Sequence, residues 1–184
     1  MTPELARERL HTLFRERALR FGDFTLASGR KSSYYVNSKQ VLFHPEALAC
    51  LGEMLWEHTR DLAVDALGGM EVGAIPMTAA ALLRYHQAGR GFEGFFVRKK
   101  AKDHGSKDLV EGVVAEGRKV VIVDDVLTTG GSAHKAVEAV EARGATVVRV
   151  VCIVDRLAGA AELLWKYDLR PIFTIRDFGI EPEG

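Results

Sequence analysis

Val120-Val121-Ile122-Val123-Asp124-Asp125-Val126-Leu127-Thr128-Thr129-Gly130-Gly131-Ser132-Ala133 reads as a buried strand, a pair of carboxylates, a turn of hydroxyls and glycines, and the start of a helix. No polar residue interrupts residues 120–123, so both faces of that strand must be covered. The helix continues with Ala136, Val137 and Val140 on the face that Ala133 begins. In the turn, glycines let the backbone approach a phosphate, successive N–H groups and a helix N-terminus favour an anion, and the hydroxyls of Thr128, Thr129 and Ser132 add donors. Helix capping alone would account for the hydroxyls and glycines. It leaves Asp124 and Asp125 unexplained, because two adjacent carboxylates repel a phosphate unless sugar hydroxyls or a cation sit with them. A phosphorylated sugar satisfies both demands. A Walker P-loop, GxxxxGK[ST], is absent, which argues against a nucleoside triphosphatase.

Working outward, the same alternation of short apolar runs and helical stretches continues. Strands are expected at residues 63–67, 95–97, 120–123 and 147–154, with helices near 75–86 and 132–143. Uninterrupted apolar strands joined by helices indicate an α/β fold, a central mostly parallel sheet flanked by helices. A ligand on the 124–132 segment would then lie beyond the carboxyl ends of the strands. Before this core, Leu5, Leu10, Leu13, Phe14 and Ala18 follow a Thr-Pro start on one helical face, and Leu48, Leu51, Met54 and Leu55 follow His44-Pro45. Between those helices, about residues 20–42 are rich in Gly, Ser, Tyr and Val and suit a small strand-rich flap. Residues 89–94 and 101–117 are the loop candidates, and no linker divides the chain into more than a single domain.

The 184 residues hold 25 Lys plus Arg against 25 Asp plus Glu. Without an overall positive field, neither nucleic acid nor an anionic membrane is an expected partner, and any bound anion needs a local site. Cys50 and Cys152 belong to no CxxC or Cys/His cluster and read as small buried hydrophobes. The start, Met1-Thr2-Pro3-Glu4-Leu5, has no apolar leader, and no stretch approaches the roughly 18 apolar residues of a membrane span. A soluble, cytoplasmic protein is expected.

Residues 121–132 closely resemble the phosphoribosyl pyrophosphate (PRPP) signature of the type I phosphoribosyltransferases. The resemblance implies that Asp124 and Asp125 meet the ribose hydroxyls while Val126, Leu127, Thr128, Thr129, Gly130, Gly131 and Ser132 wrap the 5-phosphate. Two more segments resemble the orotate branch of that family. Phe24-Thr25-Leu26-Ala27-Ser28-Gly29-Arg30-Lys31-Ser32-Ser33-Tyr34-Tyr35-Val36 is similar to its N-terminal flap, which bears on the base. Arg98-Lys99-Lys100-Ala101-Lys102-Asp103-His104-Gly105 resembles its mobile lid, here about residues 99–117. By itself such a cationic run reads as a solvated stripe. The resemblance implies PRPP contacts from Arg98, Lys99, Lys102 and His104, with Lys99, Lys102, His104, Asp124 and Asp125 as the catalytic set.

For orotate it implies Tyr35, Val36, Thr128 and Arg156, the last following a strand end where a guanidinium could take a carboxylate bidentately. Of the neighbours Tyr34 and Tyr35, alternation along a strand puts one inside and leaves the other for the ligand. Residues 67–76 are similar to the family's pyrophosphate loop, and an ordinary strand-to-helix turn accounts for them equally. The resemblance further implies Mg²⁺ carried mainly by PRPP, with no metal ligand supplied directly by the chain, and a homodimer whose lids act in trans.

There are departures. Ala27 stands where several relatives carry a PRPP-contacting lysine, with Lys31 as the nearby replacement, and the lid continues Ser106-Lys107-Asp108 where a Glu-Gly-rich run is expected. Transfer from PRPP to orotate is the expected activity. A transferase for another base and a PRPP-binding regulator on the same scaffold remain as alternatives, the latter lacking room here for a DNA-binding extension.

Overall fold

Nine consecutive residues of one strand, Lys119–Leu127 (β6), run through the middle of the molecule with six of them apolar and buried or nearly so. The computed structural model describes residues 1–25, 31–100 and 108–183. β6 lies between β3 (Ala66–Met70) and β7 (Thr146–Asp155), parallel to both; β4 (Glu93–Val97) extends the parallel sheet on one side and β8 (Asp168–Thr174) on the other. A short antiparallel strand, β5 (Val110–Gly112), finishes the β4 edge, giving the order β5-β4-β3-β6-β7-β8.

Two apolar cores explain why these strands lack polar alternation. Val121, Val123, Val151 and Ile153 pack on one face with α1 (Pro3–Leu13), α3 (Pro45–Thr59) and α4 (Ala74–Gln87). Val120, Ile122, Val150 and Cys152 pack on the other with α5 (Gly131–Glu141) and α6 (Ala160–Leu163). Each fully buried Val or Ile side chain contributes about 1.5–3 kcal/mol, so the doubly covered strands supply much of the stability. Pro3 and Pro45 open α1 and α3 at positions where a missing N–H costs nothing, and Thr2 Oγ1 accepts a hydrogen bond from the Leu5 N–H. Both cysteines are buried free thiols, as expected. Among the described residues no helix is long and apolar enough to cross a membrane.

The flap consists of β1 (Leu19–Thr25) and β2 (Lys31–Val36), an antiparallel pair, followed by a single helical turn, α2 (Lys39–Leu42). A π-helical turn at Phe14–Ala18 joins α1 to β1. Three elements differ from expectation. β3 begins three residues later than the apolar run at 63–67 and carries Gly68 and Gly69 inside the strand rather than in the following turn. The reason is steric: a Cβ on Gly68 would lie 2.1 Å from the Phe95 carbonyl oxygen, and one on Gly69 1.9 Å from that of Val123. β5 falls within the region expected to be loop, and β8 lies in a tail whose pattern is broken by Arg170 and Pro171. Pro171 is tolerated because β8 is an edge strand.

Gly69→Ala is therefore expected to cost at least about 3 kcal/mol, since two backbones would have to part. Gly91→Ala, where a Cβ meets nothing within 4 Å, should be neutral or slightly stabilising. Urea unfolding of the two variants checks the contrast; equal midpoints would refute the close-approach account.

Candidate active site

The carboxyl ends of β3, β4, β6 and β7 open into one cavity of about 760 Å³, roofed by the flap. Tyr35, Val36, Ser38, Lys39, residues 70–73, Lys99, residues 124–132, Lys135 and Arg156 line it. Val120 to Val123 alternate between the two cores; beyond the acidic pair, Val126 packs with the same core as Val123, and Leu127 with the other. Adjacent residues of a regular strand point to opposite faces. The pair sits where the strand reaches the rim of the sheet, and both Asp124 and Asp125 line the one cavity there.

The two carboxylates have unlike surroundings. Asp124, 5% exposed, accepts a hydrogen bond from the Asp125 N–H through Oδ1 at 2.9 Å, and its buried Oδ2 has no hydrogen-bond partner among the described residues. Burial first, then the charge of Asp125, raises its pKa well above the usual carboxylate range. Asp125 is also buried, which by itself would raise its pKa, but the Lys39 ammonium 2.7 Å from Oδ2 and the Ser38 hydroxyl on the same oxygen outweigh that and lower it. Backbone also lies close against Asp125: a Cβ on Gly73 would fall 2.5 Å from its Cγ.

The turn after the pair has the form of an anion site. Gly130, at φ +80°, takes the left-handed conformation that glycine adopts without strain, and α5 begins at the next residue. No side chain caps α5, so Thr128, Thr129 and Ser132 do not serve as its N-cap. Its first N–H groups face the cavity wall with the positive end of the helix. The Leu127 side chain is in the core at 1% exposure, so it is the main chain of Leu127 that borders the cavity.

Arg156 forms the other end. Its guanidinium carbon lies 4.4 Å from the centre of the Tyr34 ring, its Nε donates to Tyr34 Oη at 3.0 Å and its Nη2 to Ser32 Oγ at 3.1 Å. Tyr34 is thus the inward aromatic and Tyr35, 44% exposed, the one on the cavity, as strand alternation requires. Asp155 does not pair with Arg156; its Oδ1 accepts from the Leu157 N–H at 2.8 Å. From the chain's last residues, Glu183 Oε1 accepts from the Ser33 N–H and hydroxyl at 2.8 and 2.6 Å, and Oε2 lies 3.7 Å from Arg156 Nη2. Hydrogen bonds from Ser32 and Ser33 hold its carboxyl below the usual range.

The cationic segment is brought to the site only in part. Lys99 lines the cavity, its N–H bonded to Glu71 Oε1 at 2.8 Å, while Arg98 turns toward Glu111 of β5 at 3.7 Å and is not on the wall. Lys102 and His104 lie outside the described residues, as does Ala27. Lys31 donates to Thr25 Oγ1 at 2.9 Å across the flap and does not line the cavity. Residues 70–73 do line it, with a cis peptide bond between Glu71 and Val72. Sequence reasoning missed Ser38, Lys39, Lys135 and Glu183; only the position of Ser38-Lys39 directly after the flap strand hinted at the site.

A model of the phosphoribosyl transferase domain matches residues 37–181. A protein of Rhodopirellula baltica named orotate phosphoribosyltransferase is 44% identical over 94% of both chains. One of Rhodopseudomonas palustris with the same name is 45% identical over 88% of this chain and 89% of its own. The chain belongs to the orotate phosphoribosyltransferase family. Among solved members of the family, that of Mycobacterium tuberculosis in complex with Fe(III) dicitrate superposes with a TM-score of 0.83 at 38% identity, covering 95% of this chain and 99% of the other. The same enzyme in complex with PRPP gives 0.79 at 35% identity, with 95% and 99% covered.

The raised pKa of Asp124 has a consequence for stability. Ionising it costs more in the fold than in the unfolded chain, so the penalty is absent below the ordinary value of 3.8 and grows as pH rises above it. Asp124→Asn keeps the acceptor for the Asp125 N–H and removes the penalty. Thermal unfolding should show a gain of about 1 kcal/mol, roughly 2–4 °C, at pH 8 and little gain at pH 4, with activity lost. A variant that melts lower than the parent at pH 8 would contradict this.

Proposed function

We propose that the chain transfers the 5-phosphoribosyl group from PRPP to orotate, forming orotidine 5'-phosphate and pyrophosphate in pyrimidine nucleotide synthesis. The observation that carries the reading is a single cavity joining the buried acidic pair and the uncapped start of α5 to Arg156 and Tyr35. The names of the relatives support the same acceptor.

The roles follow from chemistry. As pyrophosphate leaves the ribose, positive charge develops on the sugar, as in glycoside cleavage, and the site must stabilise a leaving anion beside a cationic ring. No nucleophilic side chain is required. Asp124 and Asp125 hold the ribose hydroxyls and favour the developing positive charge, and the 128–132 turn with the α5 N–H groups takes the 5-phosphate. Lys99, joined by Lys102 and His104 of the lid, draws off charge at the pyrophosphate and excludes water, which would otherwise hydrolyse PRPP. Arg156 takes the carboxylate of orotate, with Tyr35, Val36 and Thr128 beside the base. The guanidinium is preset for this, because its contacts to Tyr34 and Ser32 use Nε and Nη2 and hold its plane fixed.

Mg²⁺ fits the site as an ion carried by PRPP: the acidic pair, with one buried oxygen lacking a hydrogen-bond partner among the described residues, would face its waters rather than coordinate it directly. When bound it supplies charge neutralisation to the pyrophosphate. Two free buried thiols fit a reducing compartment, the cytoplasm. A homodimer is supported by an apolar stripe, Ile75, Ala79 and Leu83, exposed along α4 beside Val72 on the cavity rim.

Pyrophosphate release should require PRPP, orotate and Mg²⁺ together, and Arg156→Ala should weaken orotate binding by about 2–4 kcal/mol with PRPP binding nearly unchanged. Turnover with adenine or hypoxanthine but not orotate would overturn the acceptor; equal losses for both ligands in calorimetry would overturn the role of Arg156.

The shared lid predicts complementation. Lys102→Ala and Asp125→Asn homodimers, each nearly inactive, are unfolded and refolded as an equal mixture. Random pairing makes half the dimers mixed, each with one intact site, so activity should recover to about a quarter of the parent value. Heterodimers that form but stay inactive would show that each lid serves its own chain.

A further inference from the structure

The acidic pair presents a problem that the phosphate-binding turn does not solve. The ionised Asp125 carboxylate repels the phosphates of the donor it is meant to hold, and a divalent ion that arrives with the donor cannot order it beforehand. The structure contains a resident counter-charge. Ser38 Oγ and Lys39 Nζ both reach Asp125 Oδ2, the lysine at 2.7 Å, from the turn that connects the flap to α3. Lys39 is half exposed on the cavity wall, whereas the Asp125 side chain is 10% exposed. Since both contacts fall on Oδ2 and the Gly73 backbone lies close against the same carboxyl group, the carboxylate plane is held.

We propose that Lys39, with Ser38, forms a clamp that fixes the Asp125 carboxylate for the ribose hydroxyls of PRPP, making Lys39 a positioning residue for the phosphoribosyl donor. The assignment rests on the PRPP reading of the cavity and adds to it. Two features distinguish the clamp from an ordinary surface ion pair, worth about 0–1 kcal/mol. Its acceptor is a buried carboxylate on the central strand, and its donors come from the segment that directly follows Tyr35 and Val36, so the flap and the donor site are mechanically joined. The lowered pKa of Asp125 agrees with a cation held at that oxygen.

Calorimetry with PRPP in the presence of Mg²⁺ tests the clamp on the intact protein. Lys39→Met is expected to weaken PRPP binding tenfold or more, and Lys39→Arg, which keeps the charge, to stay within about threefold of the parent. In turnover, the KM for PRPP should rise in Lys39→Met while the KM for orotate stays within about twofold. Binding by Lys39→Met equal to that of the parent overturns the proposal. So does a loss in Lys39→Arg as deep as that in Lys39→Met, because charge at that position would not then be what matters. Lys39→Met leaves the buried Asp125 without its counter-charge, so thermal unfolding is followed for each variant and binding is compared at a temperature where all are folded, and Ser38→Ala provides a second removal of one arm with a smaller expected loss. Calorimetry does not depend on the accepting base: a parent chain that binds PRPP but does not consume it with orotate refutes the acceptor, and the binding comparison still decides the clamp.

Discussion

Two neighbouring carboxylates are buried where a doubly covered strand ends, and the electrostatic cost of holding them there governs the surrounding arrangement. Burial and mutual repulsion drive Asp124 toward its protonated form, while Asp125 stays ionised because an ammonium and a hydroxyl are fixed on one of its oxygens. The strand is rigid because valines and isoleucines pack on both of its faces, so the pair cannot relax outward into water. Energy from the apolar cores thus sustains an arrangement that would be unfavourable without a ligand.

Much of this was legible in the chain. Residues 120–133 announced the strand, the acidic pair, the turn and the helix because each needs a distinct residue type at a fixed spacing, and the structure keeps that order. Tyr34 and Tyr35 were also legible as one inward and one outward ring, since a strand allows nothing else. The glycines of β3 misled, because Gly-Gly usually marks a turn and here it marks two carbonyl groups passing within contact distance. Lys39 was legible only through its place after the flap strand, and Glu183 not at all. Their partners lie 86 and 150 residues away in sequence, and no local pattern encodes a contact of that range.

The two ends of the cavity are built differently. Where the 128–132 turn offers main-chain groups, the other end presents one side chain, Arg156, laid over Tyr34 and tied to Ser32. Glu183 joins the tail to the same cluster through Ser33. Strand β2, the arginine after β7 and the residues around Glu183 therefore order one another, and the Arg156 end of the cavity depends on three parts of the sequence that no single motif spans.

The β4–β5 pairing bears on how this scaffold can diverge. Arg98 donates its N–H to the Leu109 carbonyl at 2.8 Å, and Val97 pairs with Val110, so the chain leaves the sheet and returns to it at adjacent rungs. The ends of the intervening segment are pinned by the sheet itself, whatever lies between them. Doubling the length of a flexible connection adds only about 0.6 kcal/mol of closure entropy. With both ends fixed on neighbouring rungs, the sheet sets where that stretch of chain starts and stops, and the fold itself places little constraint on its length.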